Sequence, residues 1–92
     1  MPPPDIHETH PEVLKRLRRA AGQLRSIGEM IEAGRPCLEV AQQLQAAERA
    51  VREAKKTFIN DHLNHCLQHV VETQGSQARI SVDEFRTIAK YL

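Results

Sequence analysis

The sequence predicts an all-α fold with three helices per protomer, two long and one short at the C-terminus. Three observations predict it. Apolar residues recur at alternating spacings of three and four through most of the chain, the period of one face of an α-helix. No Gly or Pro falls between Pro36 and Gly75, so nothing breaks a helix over that stretch. The only aromatics are Phe58, Phe85 and Tyr91, with no Trp and 4 Gly, too few for the turn-rich strands of a sandwich or barrel. A chain of 92 residues holds one hydrophobic core, which excludes a multidomain enzyme.

Residues 1–8 carry Pro2, Pro3 and Pro4 and no periodicity, so they are expected as a flexible arm, with 9–92 a single helical domain. Thr9, Pro11 and Glu12 make a capping-box start for the first helix. Leu14, Leu17, Ala21, Leu24, Gly28 and Ile31 form its seam, and Ala33-Gly34-Arg35-Pro36 ends it, because Gly caps a helix and Pro cannot continue one. Pro36 opens the second helix, whose stripe runs through Val40, Leu44, Ala47, Val51, Ala54, Phe58, Ile59, Leu63, Leu67 and Val70. At 1.5 Å per residue this helix reaches roughly 55 Å. The first helix can cover only part of its stripe, and the remainder predicts self-association into a helical bundle. After Gly75, Ser81 and Glu84 read as a second capping box, with Val82, Phe85, Ile88, Ala89 and Leu92 as the apolar side of a short third helix.

Charge and cysteine usage narrow the function. Lys+Arg 13 against Asp+Glu 12 leaves a net charge of +1, so any nucleic-acid role depends on where the charges sit. No apolar run reaches the roughly 18 residues of a membrane span, and Met1-Pro2-Pro3-Pro4-Asp5 lacks the basic and apolar parts of a signal peptide. The expected location is the cytoplasm, without membrane partners. There Cys37 and Cys66 are expected as thiols for metal or redox chemistry rather than as a disulfide. An enzyme with either cysteine as nucleophile would need a base, an oxyanion site and a pocket, and no motif supplies them, so a non-enzyme is expected.

His62, His65, Cys66 and His69 fall at i, i+3, i+4 and i+7, one face of the second helix over two turns. His62 and Cys66, one turn apart, form a soft nitrogen and sulfur pair suited to Cu(I), Zn(II), Ni(II) or Co(II), which is half a site. His65 and His69 read as solvated surface residues. Cys37 precedes His62 by about 25 residues, roughly 37 Å along one straight helix, so it cannot meet the pair within that helix. An antiparallel second copy could bring it there. The spacing therefore predicts a site shared between protomers, two per symmetric dimer.

The first helix has a basic side. Lys15, Arg16, Arg18, Arg19 and Arg25 stand outside its apolar seam, with no acidic residue between Lys15 and Arg25. Arg49, Arg52, Lys55 and Lys56 add a second patch on the next helix, diluted by Glu48 and Glu53. Single-sign helix faces of this kind are the footprint of phosphate binding, multiplied in a symmetric oligomer. No helix-turn-helix is apparent.

In Leu14-Lys15-Arg16-Leu17-Arg18-Arg19-Ala20-Ala21-Gly22-Gln23-Leu24, in Cys37 with Ala41-Gln42-Gln43-Leu44, and in Asp61-His62-Leu63-Asn64-His65-Cys66, the chain resembles the copper-sensitive-operon-repressor (CsoR) family. That family includes the nickel- or cobalt-sensing RcnR and formaldehyde-sensing FrmR branches. The resemblance covers about residues 9 to 72. It implies a metal-responsive transcriptional repressor, an all-helical dimer of dimers that binds double-stranded operator DNA without a helix-turn-helix. Release follows when the inter-protomer site fills.

Branches differ in the inducer. Cys37, His62 and Cys66 resemble the Cys-His-Cys set of the copper branch, although Pro36 stands where the copper type member has Tyr. The nickel branch adds an N-terminal His, for which Asp5 stands here, with His7 and His10 nearby on the arm. Cys37, His62 and Cys66 with one nitrogen from His7 or His10 would give the two-thiolate, two-nitrogen set that four-coordinate Ni(II) accepts. Ni(II) or Co(II) is thus the favoured inducer, with Cu(I) as the alternative. Zn(II), or formaldehyde or persulfide acting on a thiol, follows: Pro2 and Cys37 resemble the formaldehyde pair, and Cys37 and Cys66 the persulfide pair. Glu48 stands where relatives tend to carry Arg.

Overall fold

The computed structural model describes residues 8–72 and 75–92. Residues 1–7, most of the expected arm, lie outside the described residues. The described chain is three helices, α1 (His10–Glu32), α2 (Cys37–Glu72) and α3 (Ser76–Ala89), with no strand among the described residues. They fall into two compact units, one of residues 11–54 and the other of residues 55–92 with the described residues up to 10.

In the first unit α1 and the opening half of α2 form a helical hairpin. Val13, Ala20 and Ile27 are buried at seven-residue intervals on α1, as are Ala47 and Ala54 on α2. Small residues at such positions let two helices approach closely. The hairpin turns at Gly34, whose φ of 71° favours glycine. The Gly34 amide donates to the Ile31 carbonyl at 3.1 Å and the Arg35 amide to the Met30 carbonyl at 3.0 Å, which together cap the last open carbonyls of α1. The Val40 amide donates to the Pro36 carbonyl at 3.2 Å, so α2 starts where the proline permits. The apolar residues facing out are as informative: Leu14, Leu17, Leu24 and Ile31 on α1 and Leu44 and Val51 on α2 are exposed.

In the second unit α3 folds back on the closing half of α2. Ile59, Leu63 and Cys66 are buried on α2, and Ser81 is buried on α3. The Thr9 hydroxyl donates to the Asp61 carboxylate, and the His10 ring stacks on Phe58 with centroids 5.0 Å apart, which ties the chain leading into α1 to α2. One expectation is corrected. Ser81 and Glu84 do not start α3, which begins at Ser76 behind Gly75, with no side-chain cap. Both residues turn toward α2 instead.

Candidate metal centre and nucleic-acid interface

An unbroken helix places His62 and Cys66 one turn apart on α2, and α3 adds Glu84 beside them. One donor atom from each of the three lies within 4.8 Å of the others. The His62 Nε2 is 3.0 Å from the Glu84 Oε1. The His62 side chain is 12% exposed and that of Glu84 46%, so the imidazole is held away from water while the carboxylate reaches in from the rim. Cys66 is a buried free thiol. Burial pushes its pKa up, and the Glu84 carboxylate pushes it further, since both disfavour a thiolate.

These contacts set the chemistry. A carboxylate only accepts hydrogen bonds, so Glu84 draws the imidazole proton to Nε2 and leaves Nδ1 as the lone-pair nitrogen. An imidazole and a thiol lie side by side there. Such a pair fits a soft or borderline ion, to which the half-exposed carboxylate contributes through its hold on the ring.

The other residues expected at the site fall elsewhere. Cys37 is the first residue of α2 and is an exposed free thiol; it is not among the cluster's three residues. His10, expected as a donor from the arm, is the first residue of α1 and is stacked on Phe58. His7 lies outside the described residues. His65 is exposed. His69, expected on the surface, is half-buried, and its Nδ1 is 2.5 Å from the Ser81 hydroxyl. Glu84 and Ser81 were missed as site residues. The signal for Ser81 is a polar residue in line with Ala78, Phe85 and Ile88, inside the apolar stripe of its helix, where a buried hydroxyl demands a partner.

All nine basic residues expected to face phosphates, Lys15, Arg16, Arg18, Arg19, Arg25, Arg49, Arg52, Lys55 and Lys56, are exposed. Arg16, Arg19 and Arg49, with Glu12 and Glu53, line a cleft of about 460 Å³ over Ala20, Ala46 and Ala50. Glu12 pairs with Arg16 at 3.4 Å and Glu48 with Arg52 at 2.7 Å, each one helical turn apart. Exposed pairs of this kind contribute about 0.3–0.5 kcal/mol and yield readily to a phosphate. No helix among the described residues is long and apolar enough to cross a membrane.

The helical scaffold thus carries basic faces and, on α2, an imidazole beside a buried thiol. The chain belongs to the metal-sensitive transcriptional repressor family, which matches residues 9–90. It is a metal-responsive repressor of an oligomeric, operator-binding family and not an enzyme. It is 39% identical over 64 residues, 70% of this chain and 67% of the relative, to the copper-sensing transcriptional repressor RicR of Mycobacterium tuberculosis. It is 28% identical over 81 residues, 86% of this chain and 80% of the relative, to the copper-sensing transcriptional repressor CsoR of Bacillus subtilis. The copper-sensing repressor CsoR of Mycobacterium ulcerans is 31% identical over 78 residues, 85% of this chain and 65% of that protein. No solved structure matches significantly. The preference for Ni(II) or Co(II) finds no support among these relatives, and the Cu(I) alternative fits them better.

Proposed function

We propose that the protein is a Cu(I)-responsive repressor of the cytoplasm, which holds operator DNA when free of metal and releases it when a site shared between protomers fills. One protomer contributes His62 and Cys66 and its partner contributes a Cys37, twice per dimer, with two dimers forming the tetramer. The observation that carries this reading is the convergence of His62 and Cys66, with donor atoms within 4.8 Å alongside Glu84. Two thiolates and an imidazole are the soft, low-coordinate set that suits Cu(I). An exposed Cys37 is available to a second chain, and the exposed apolar residues of α1 and α2 give that chain a surface to cover. The copper-sensing relatives point the same way. The case for Ni(II) needed a donor from His7 or His10; of these His10 is stacked on Phe58, and His7 lies outside the described residues.

Lys15, Arg16, Arg18, Arg19 and Arg25, with Arg49, Arg52, Lys55 and Lys56, are the proposed phosphate contacts, and the formation of the shared site is read by the helices that carry them. Anaerobic titration of reduced protein with Cu(I), Ni(II), Co(II) and Zn(II), each followed by operator release, tests the proposal. Cu(I) should release DNA at one equivalent per protomer, and truncating residues 2–8 should leave that response intact. Release by Ni(II) alone, abolished by the truncation, would overturn it.

A further inference from the structure

Ser81 is the one described residue of α3 that is buried, at 6% exposed. Ala78, Phe85, Ile88 and Ala89 are half-buried, and Ile80 and Val82 are exposed. A helix docked so lightly by apolar side chains can slide, because apolar contact is non-directional. Two of the described contacts between α2 and α3 are polar and directional. The His69 Nδ1 meets the Ser81 hydroxyl at 2.5 Å, and the His62 Nε2 meets the Glu84 carboxylate at 3.0 Å. They run antiparallel: the pair nearer the α2–α3 connection is His69 with Ser81, and the farther pair is His62 with Glu84.

The two pairs are unequally spaced. Seven residues of α2 span roughly 10 Å and three of α3 roughly 4.5 Å, a difference that the His62 and Glu84 side chains bridge between them. A slip of α3 by one turn, roughly 5.4 Å, would take the Ser81 hydroxyl off His69 in either direction, and a slip away from His62 would also take Glu84 off the imidazole. The buried hydroxyl therefore favours the register in which His69 meets it.

We infer that the His69–Ser81 hydrogen bond is a register lock, and that His69 and Ser81 are positioning residues which hold Glu84 on His62 and so fix the imidazole tautomer of the sensor site. For its effect on metal the inference rests on His62 being a ligand, as proposed above; the lock itself is a property of the metal-free chain. His69 acts through α3 and touches no inducer.

Long-range proton–nitrogen NMR of the imidazoles in the full-length, reduced, metal-free protein tests the lock, at about pH 8 where free imidazole is neutral. The native protein should show His62 as a single tautomer protonated at Nε2. Ser81→Ala and His69→Leu should each turn His62 into a tautomer mixture, while Ser81→Thr, which keeps the hydroxyl, and His69→Asn, which keeps a polar atom near the Nδ1 position, should restore the single tautomer. An unchanged His62 in both Ser81→Ala and His69→Leu overturns the inference, and so does a mixture that neither conservative variant rescues, which would mark a packing role. Competition for Cu(I) against a chelator forms the second arm, with a loss of about 10-fold or more expected for Ser81→Ala. A tautomer change with unaltered Cu(I) affinity would uphold the lock and count against His62 as a ligand.

Discussion

The Nε2 of His62 lies 3.0 Å from the carboxylate Oε1 of Glu84, across the seam between α2 and α3. Glu84→Gln should weaken metal binding about 10- to 100-fold, the usual cost of losing a partner that orients a ligand. A chelator competition on the reduced protein measures it. An affinity equal to that of the native protein would mean that Glu84 does not orient the ring.

Glu84 also bears on Cys66, whose thiol pKa is raised first by burial and then by that carboxylate. The unfolded chain ionises this thiol near the ordinary 9.0 and the folded chain ionises it higher. The unfolded state thus loses its proton first, and the stability this thiol contributes, complete below 9.0, is lost as pH rises through that value toward the folded pKa. Thiolate absorbance during a pH titration should place Cys66 above the ordinary value, and Glu84→Gln should lower it part of the way. Because a bound thiolate must shed the proton, metal affinity should rise with pH below the Cys66 pKa.

A site shared between protomers has a signature in mixed oligomers. Cys37→Ala and Cys66→Ala should each bind essentially no Cu(I) in the regulatory site when pure. Coexpressed, a mixed dimer regains one intact site from the two unmutated halves and should recover about half of the native capacity. No recovery would place Cys37 and Cys66 in separate roles.

The double variant Arg16→Ala with Arg19→Ala should bind operator DNA more weakly and flatten its salt dependence, by roughly 0.9 in log–log slope for each phosphate no longer neutralised. Metal affinity of the DNA-free protein should be unchanged, since neither arginine is among the proposed ligands Cys37, His62 and Cys66. Binding and slope like the native protein's would remove this cleft from the DNA interface.

Local pattern determined a good deal of this protein. Seam spacing marked the three helices, and Ala33-Gly34-Arg35-Pro36 marked the hairpin, because capping geometry depends on the few residues that adopt it. One helical turn between His62 and Cys66 was enough to pair them. Tertiary structure decided what those patterns could not. Ser81 and Glu84 satisfy the spacing of a capping box, but the same spacing also puts two polar side chains on one side of a helix already begun at Ser76. Which of the two holds depends on what lies opposite, and only the fold of α3 onto α2 supplies His69 and His62. His10 shows the same divide: its sequence neighbours allow a mobile donor, whereas Phe58, far along the chain, takes its ring. Helix starts and ligand pairs one turn apart are written in neighbouring residues; a partner that arrives from another helix is chosen by packing, which no local pattern encodes.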